Sequence, residues 1–170
     1  GDHRDLHFFP TRRSSDLWNL LQRFVDPYGP YQKHIVRELN PVFVNDDVAV
    51  LGLNSARRMM RDWAWEQGEI SDAQINMARE FFALHTDKTR ILMVHHPLTH
   101  PRAAPTRLLV RNHQRALEAF AAAGADIICT GHLHLASVQD GKAMVPGREK
   151  PLWLLHGGTA MCDRLRGECN

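Results

Sequence analysis

Two histidines, His132 and His134, follow a short apolar segment of this chain, with one residue between them. Residues 127–130 are of the apolar and β-branched types that a buried strand requires, and Gly131 permits a sharp turn where the chain leaves a sheet. Because alternate side chains of an extended backbone point the same way, we expect both imidazoles on one side. Imidazole is the commonest metal ligand near neutral pH. The pattern predicts a metal site at the carboxyl end of a strand, and a polar surface turn is the alternative.

A second apolar segment, residues 91–94, also ends in histidines. His95 and His96 follow it directly, and Pro97 then stops further ladder pairing. Histidine is a poor residue for filling a core, so two strands that both end in histidine favour a shared polar site over simple packing. We therefore expect the imidazole of His95 to converge with those of the first segment. His100, His113 and His156 are expected at the surface or in packing.

The composition is that of a soluble globular protein. The 170 residues are enough for one domain with a core, and 44% of them are hydrophobic and 24% charged. A formal net charge of +2 without a run of Lys or Arg favours neither a nucleic-acid nor a membrane partner. The three cysteines form no Cys-x-x-Cys pair and no signal peptide is visible, so we expect reduced thiols and a cytoplasmic location. The oligomeric state is not predicted.

The elements that must position the histidines alternate between strand and helix. This alternation indicates an α/β layered domain with functional loops at the strand ends. Ser71 and Gln74 form a capping-box pattern at the start of one helix, and Asn54 and Ser55 follow another strand end. The predicted elements are a hairpin over 41–53, helices over 72–85 and 112–123, strands over 91–94, 127–130 and 152–155, and a tight turn at Asp140-Gly141.

These residues resemble motifs of calcineurin-like metallophosphoesterases, in particular a bacterial branch similar to cyclic-nucleotide phosphodiesterases. Residues 131–134 are similar to the family's Gly-His-x-His signature, and residues 93–97 resemble its His-x-Pro element. Residues 51–57 resemble the family strand that precedes these motifs, and residues 158–168 resemble the tail of the branch. Gly1-Asp2-His3 resembles the Gly-Asn-His motif, with Asp2 in place of asparagine.

The resemblance implies a fold class: α/β, the C-terminal part of a four-layer αββα metallophosphoesterase sandwich whose N-terminal strands are missing. Residues 1–3 would be a remnant of the Gly-Asn-His motif, and residues 18–170 the C-terminal part of a single metallophosphoesterase domain. Residues 4–17 are expected to be non-native, because residues 6–17 lack periodicity and resemble a translated sequencing adapter. The family motifs Asp-x-His and Gly-Asp-x-x-Asp are absent. We therefore expect an apolar sheet face to be exposed and this chain to be a fragment with little activity.

The resemblance also implies a dinuclear metal centre. Two divalent ions about 3.5–4 Å apart lower the pKa of a bridging water and stabilise both oxygens of an in-line displacement at phosphorus. Histidine and carboxylate ligands suit manganese, iron or zinc. Asp2, His95 and His132 would bind one ion and His134 the other. Without the missing motifs, at most one ion is expected in this chain.

The remaining roles follow from the same resemblance. His3 would be the general acid that protonates the leaving alkoxide. His96 and Asn54 are expected to orient the ligands or the phosphate rather than to bind metal. The expected substrate is a small phosphoester, with a nucleotide as one candidate.

Three alternatives remain open. A UDP-diacylglucosamine pyrophosphatase would need an apolar lipid groove, and no insertion supplies one. An amidohydrolase also uses His-x-His, but on the first strand of a barrel rather than late in the chain. A non-catalytic domain could keep its histidines for structural zinc or protein contact. Two ions per chain would favour a phosphoesterase, one tight zinc a structural site, and none an inactive fragment.

Overall fold

A computed structural model describes residues 26, 28–34, 37–57, 67–101, 108–145 and 147–158. The chain divides into two compact units, Gly1–Arg37 and Glu38–Asn170. In the described part of the first unit, one short helix, α1, spans Gly29–His34. The predicted segments 1–3 and 4–17, with Asp2 and His3, and the chain from residue 159 onward lie outside the described residues.

A six-stranded sheet organises the second unit. In the order β1-β2-β3-β4-β6-β5, the four inner strands run parallel, and each edge strand is antiparallel to its neighbour. The carboxyl ends of β2, β3, β4 and β6 therefore lie along one edge of the sheet. The strands are β1 (Val42–Val44), β2 (Val48–Leu53), β3 (Thr89–Val94), β4 (Ile127–Thr130), β5 (Ser137–Asp140) and β6 (Trp153–His156).

Two helices, α2 (Asp72–Ala83) and α3 (His113–Ala122), pack on one face of this sheet. Their fully buried Phe82 and Phe120 belong to the same hydrophobic core as alternate residues of the strands, such as Leu92. The predicted capping box of α2 is confirmed, since both of its reciprocal hydrogen bonds are present. Gly124 follows α3 with a φ of 93°, in agreement with the predicted helix end. The predicted α/β fold class is confirmed.

The opposite face of the sheet is apolar and only partly covered. The strand register aligns Val50, Ile91, Ile127 and Trp153 across four neighbouring strands. Trp153 is 47% exposed and Met93 is 52% exposed. The predicted exposure of an apolar sheet face is confirmed.

The predicted tight turn at Asp140-Gly141 is wrong. β5 and β6 are antiparallel neighbours, but residues 141–152 join them and include a 3-10 turn, Lys142–Met144. The physical reason is local, because the Asp140 carboxylate accepts a hydrogen bond from the Lys142 N–H at 2.8 Å and starts the 3-10 turn instead.

The connection between β5 and β6 is anchored by Arg148. Its guanidinium donates to the carbonyl oxygens of Ala121, of Ala125 at 2.7 Å and of Pro151 at 3.0 Å. One side chain thus joins the end of α3 to the segments that lead into β4 and β6.

Among the helices that the structure describes, none has the length and apolar character needed to cross a bilayer.

Candidate metal centre

The adjacent carboxyl ends of β3 and β4 bring two histidine segments together. The Gly131 N–H donates to the His95 carbonyl oxygen at 2.9 Å, so the two strands remain bonded just past the last register pair. This contact places His95 Nε2 only 3.1 Å from His132 Nδ1. Two ring nitrogens that face each other at this distance either share one proton or present two lone pairs to a cation.

Three histidines form a group with the spacing of metal ligands. One ring nitrogen from each of His95, His96 and His132 lies within 4.8 Å of the others. In a tetrahedral site with metal–nitrogen bonds of about 2.0–2.1 Å, two ligand nitrogens lie roughly 3.3 Å apart. The observed separation of 3.1 Å between His95 and His132 is close to this value. The donor set therefore fits a divalent metal ion.

His96 is held in a fixed orientation by its surroundings. Its side chain is buried, and its Nδ1 lies 2.7 Å from the Ser55 hydroxyl at the carboxyl end of β2. Gly68, at a φ of 65°, packs against the ring so closely that a Cβ there would lie 2.4 Å from His96 Nδ1. A hydrogen bond at one ring nitrogen is the usual way in which a protein orients the other nitrogen toward a metal. The structure thus places His96 in the three-histidine group, whereas the sequence pattern predicts an orienting role for it.

Asn54 shapes the loop that presents Ser55. Its side-chain oxygen accepts from the Ala56 N–H at 3.0 Å, and its carbonyl oxygen accepts from the Gln74 amide at 2.8 Å. The first bond closes a tight turn around Ser55, and the second ties this turn to α2. Asn54 therefore shapes the loop that carries Ser55, the residue hydrogen-bonded to His96.

The backbone after β4 differs from the extended one that the sequence pattern predicts. His132 has a φ of 69°, and the Leu133 N–H donates to the Gly131 carbonyl oxygen at 2.8 Å, a γ-turn bonding pattern. His134 also has a positive φ, of 57°. Such conformations each destabilise a non-glycine residue by about 1–3 kcal/mol and concentrate at functional sites. Because the chain turns here, His134 is exposed and lies outside the three-histidine group.

The electrostatic environment favours neutral imidazole at His95. Desolvation of the partly covered ring, and then the neighbouring His132 and His134, lower the pKa of His95 below its ordinary value. A neutral imidazole keeps a lone pair on one nitrogen, which is the form that binds metal.

Two polar residues of this edge, Ser55 and His156, are not singled out by the sequence pattern as site residues. Ser55 is 1% exposed and His156 is 5% exposed. The signal that could have identified them is the one used for His95, namely a polar residue where an apolar strand ends. Both lie at carboxyl ends of parallel strands, β2 and β6.

Comparison with known proteins supports the fold. No protein-family model and no curated protein matches the sequence. A solved structure of PhoD is similar, with a TM-score of 0.56 and 13% sequence identity over 88% of this chain and 36% of that chain. The chain thus spans little more than a third of the PhoD chain that it matches. At this identity the likeness concerns the fold alone.

Proposed function

We propose that this chain contributes to a metal-dependent phosphoesterase, with one divalent ion held by His95, His96 and His132. The observation that carries the proposal is the 3.1 Å approach of His95 Nε2 to His132 Nδ1 at the carboxyl edge of the parallel strands, in a fold similar to that of PhoD. Ligands of open α/β sheets bind in the crevice at this edge. The proposed substrate is a small phosphoester, and the sequence motifs favour the calcineurin-like family and its branch similar to cyclic-nucleotide phosphodiesterases.

Each residue of the candidate metal centre can be given a role in this chemistry. A bound divalent ion supplies charge stabilisation at a phosphoryl oxygen and lowers the pKa of water. His95 provides a neutral ring nitrogen and His132 a second nitrogen 3.1 Å away, while Ser55 holds His96 by its Nδ1. His134 lies exposed beside them and is proposed as a ligand of a second ion.

Two further roles rest on the motif resemblance. Asp2 is proposed to complete the ligand set of the first ion, and His3 to protonate the leaving alkoxide.

A second candidate function is a non-catalytic zinc site. It is favoured by the donor set, because the ligand group found among the described residues consists of three imidazoles and contains no carboxylate. Three imidazoles are sufficient to hold zinc. This candidate would bind one zinc ion tightly without hydrolysing phosphoesters.

Metal titration and hydrolysis by the purified chain test both candidates. We expect one zinc, manganese or cobalt ion per chain, lost in His95→Ala and His132→Ala. His113→Ala is the matched control, since His113 lies at the start of α3 and bonds locally to the Val110 carbonyl oxygen. Absence of ion binding, or binding that survives both substitutions, would refute the proposed site.

Hydrolysis then separates the two functions. We expect weak turnover of p-nitrophenyl phosphate mono- or diesters that depends on added manganese and disappears in His132→Ala. Tight zinc binding with no turnover above that of the His132→Ala chain would instead support the non-catalytic site.

A further inference from the structure

His156 occupies an unusual position for a packing histidine. It ends β6, its side chain is 5% exposed, and both of its ring nitrogens face threonine hydroxyls. Nδ1 lies 2.8 Å from Thr130 Oγ1, and Nε2 lies 3.3 Å from Thr99 Oγ1. Both threonines are themselves buried. One imidazole therefore bridges two hydroxyls that are otherwise far apart in the sequence.

The two threonines belong to the two segments that carry the metal-ligand group. Thr130 is the last residue of β4 and precedes Gly131-His132, while Thr99 follows His95-His96 in the loop after β3. The Gly157 N–H, next to His156, also donates to the Thr130 carbonyl oxygen at 2.7 Å. β6 thus contacts the β4 segment through backbone and side chain together.

The neighbouring edge strand supports the same loop. The amide of Gln139, on β5, donates to the His100 carbonyl oxygen at 3.0 Å. Since β5 and β6 pair with each other, this strand pair holds the loop after β3 at two successive residues, Thr99 and His100.

The donors and acceptors form one consistent chain. The Thr130 hydroxyl lies 3.4 Å from the Leu155 carbonyl oxygen and can donate to it. Thr130 Oγ1 then accepts from His156 Nδ1–H, which leaves Nε2 to accept from the Thr99 hydroxyl. This direction satisfies every partner with a neutral imidazole, and burial favours that form because it lowers the pKa of His156. An apolar ring of the same size would fill the space but leave two buried hydroxyls without this bridge.

We infer that His156 is a positioning residue for the metal centre, and this inference rests on the proposed function. By joining Thr99 to Thr130, its imidazole sets the spacing between the His95-His96 segment and His132. It touches neither the ion nor the substrate. Its contribution is to hold the ligand nitrogens at their separation before an ion arrives, which is how supporting hydrogen bonds raise metal affinity.

Cobalt binding tests the inference, because the affinity for cobalt and the visible spectrum of the bound ion report the geometry of the ligands rather than the stability of the fold. We expect His156→Phe to weaken cobalt binding about 10–100-fold and to change the visible absorption spectrum of the bound ion. His156→Gln keeps a donor and an acceptor, and it should recover most of the affinity and the spectrum. Phe82→Leu, in the core of α2, is the control for a general loss of stability and should bind cobalt as the unsubstituted chain does.

The result that would overturn the inference is cobalt affinity and spectrum unchanged in His156→Phe. Equal weakening in Phe82→Leu would overturn it too, because the effect would then follow stability alone.

Hydrogen exchange of the metal-free chain separates failure of the inference from failure of the proposed function. The Gly131 amide, which bonds to the His95 carbonyl oxygen, reports the junction of the two segments. We expect its exchange to accelerate in His156→Phe more than in Phe82→Leu. If the unsubstituted chain binds no ion, the proposed function fails. Equal exchange rates of the Gly131 amide in His156→Phe and Phe82→Leu would refute the positioning role, whether or not an ion binds.

Discussion

The hydrogen bond between Ser55 and His96 offers a direct test of how the site is built. Ser55→Ala removes the hydroxyl 2.7 Å from His96 Nδ1 and leaves the rest of the loop in place. Both side chains are buried, at 1% and 4% exposure, so water cannot readily replace the lost partner. The hydroxyl also accepts from the His96 backbone N–H at 3.4 Å, so the substitution removes two hydrogen bonds, both of them to His96.

The expected effects have two separate magnitudes. Loss of one partner from a buried polar group lowers the free energy of unfolding of the metal-free chain by about 1–3 kcal/mol. Loss of the bond that orients a ligand imidazole lowers metal affinity by about 10–100-fold. The second effect is specific to a residue that orients a ligand, whereas the first is shared with many buried positions.

Urea unfolding and cobalt titration measure the two effects in the same preparation. Ile75→Val is the matched control, because it removes one methyl group from a side chain that is 2% exposed in α2. Its expected loss of unfolding free energy is about 0.5–1.5 kcal/mol, with cobalt affinity unchanged. A Ser55→Ala chain that is destabilised and still binds cobalt like the Ile75→Val chain would refute the assignment of His96 as a ligand.

Three further predictions concern other parts of the structure. Arg148→Ala should lower the free energy of unfolding by about 1–3 kcal/mol, because carbonyl oxygens at the end of α3 lose a charged donor, and urea unfolding measures this loss. Gly68→Ala should destabilise the chain by about 1–2 kcal/mol from its left-handed backbone alone and also weaken cobalt binding, since the new Cβ displaces the His96 ring. Burial lowers the pKa of His156. As the pH falls, the imidazole therefore binds a proton in the unfolded chain before it does so in the folded chain. The metal-free chain should therefore keep its stability above about pH 6.5 and lose part of it as the pH falls below that value, and urea unfolding across this range should show a flatter profile for His156→Gln.

The strands that carry the site could be predicted because their signals are local. β3 and β4 are short apolar segments that end abruptly, one at His95 and the other at Gly131. Such a segment predicts a strand from its residue types alone, whichever elements it packs against. The capping box of α2 lies within four residues, so its hydrogen bonds could be predicted in the same way. The meeting of His95 with His132 follows from parallel pairing, which places both strand ends at one edge.

The inclusion of His96 in the three-histidine group could not be predicted, because it depends on contacts over long sequence distances. Ser55 lies 41 residues before His96, and nothing near either residue indicates that they face each other. The left-handed turn at His132 likewise depends on tertiary packing. It accompanies the burial of Leu133, whose side chain is 9% exposed and lies between two more accessible histidines. An extended backbone would have placed the two histidines side by side and turned Leu133 the other way.

The partly covered apolar face of the sheet has a thermodynamic consequence. Unfolding raises the heat capacity of a protein in proportion to the apolar surface that it newly hydrates. Met93 and Trp153 already contact water in the folded chain. Calorimetric melting should therefore show a smaller heat-capacity increment per residue than the usual value of about 12–15 cal/mol/K. The stability curve of this chain would then be broad and shallow, with stability changing slowly between cold and warm temperatures.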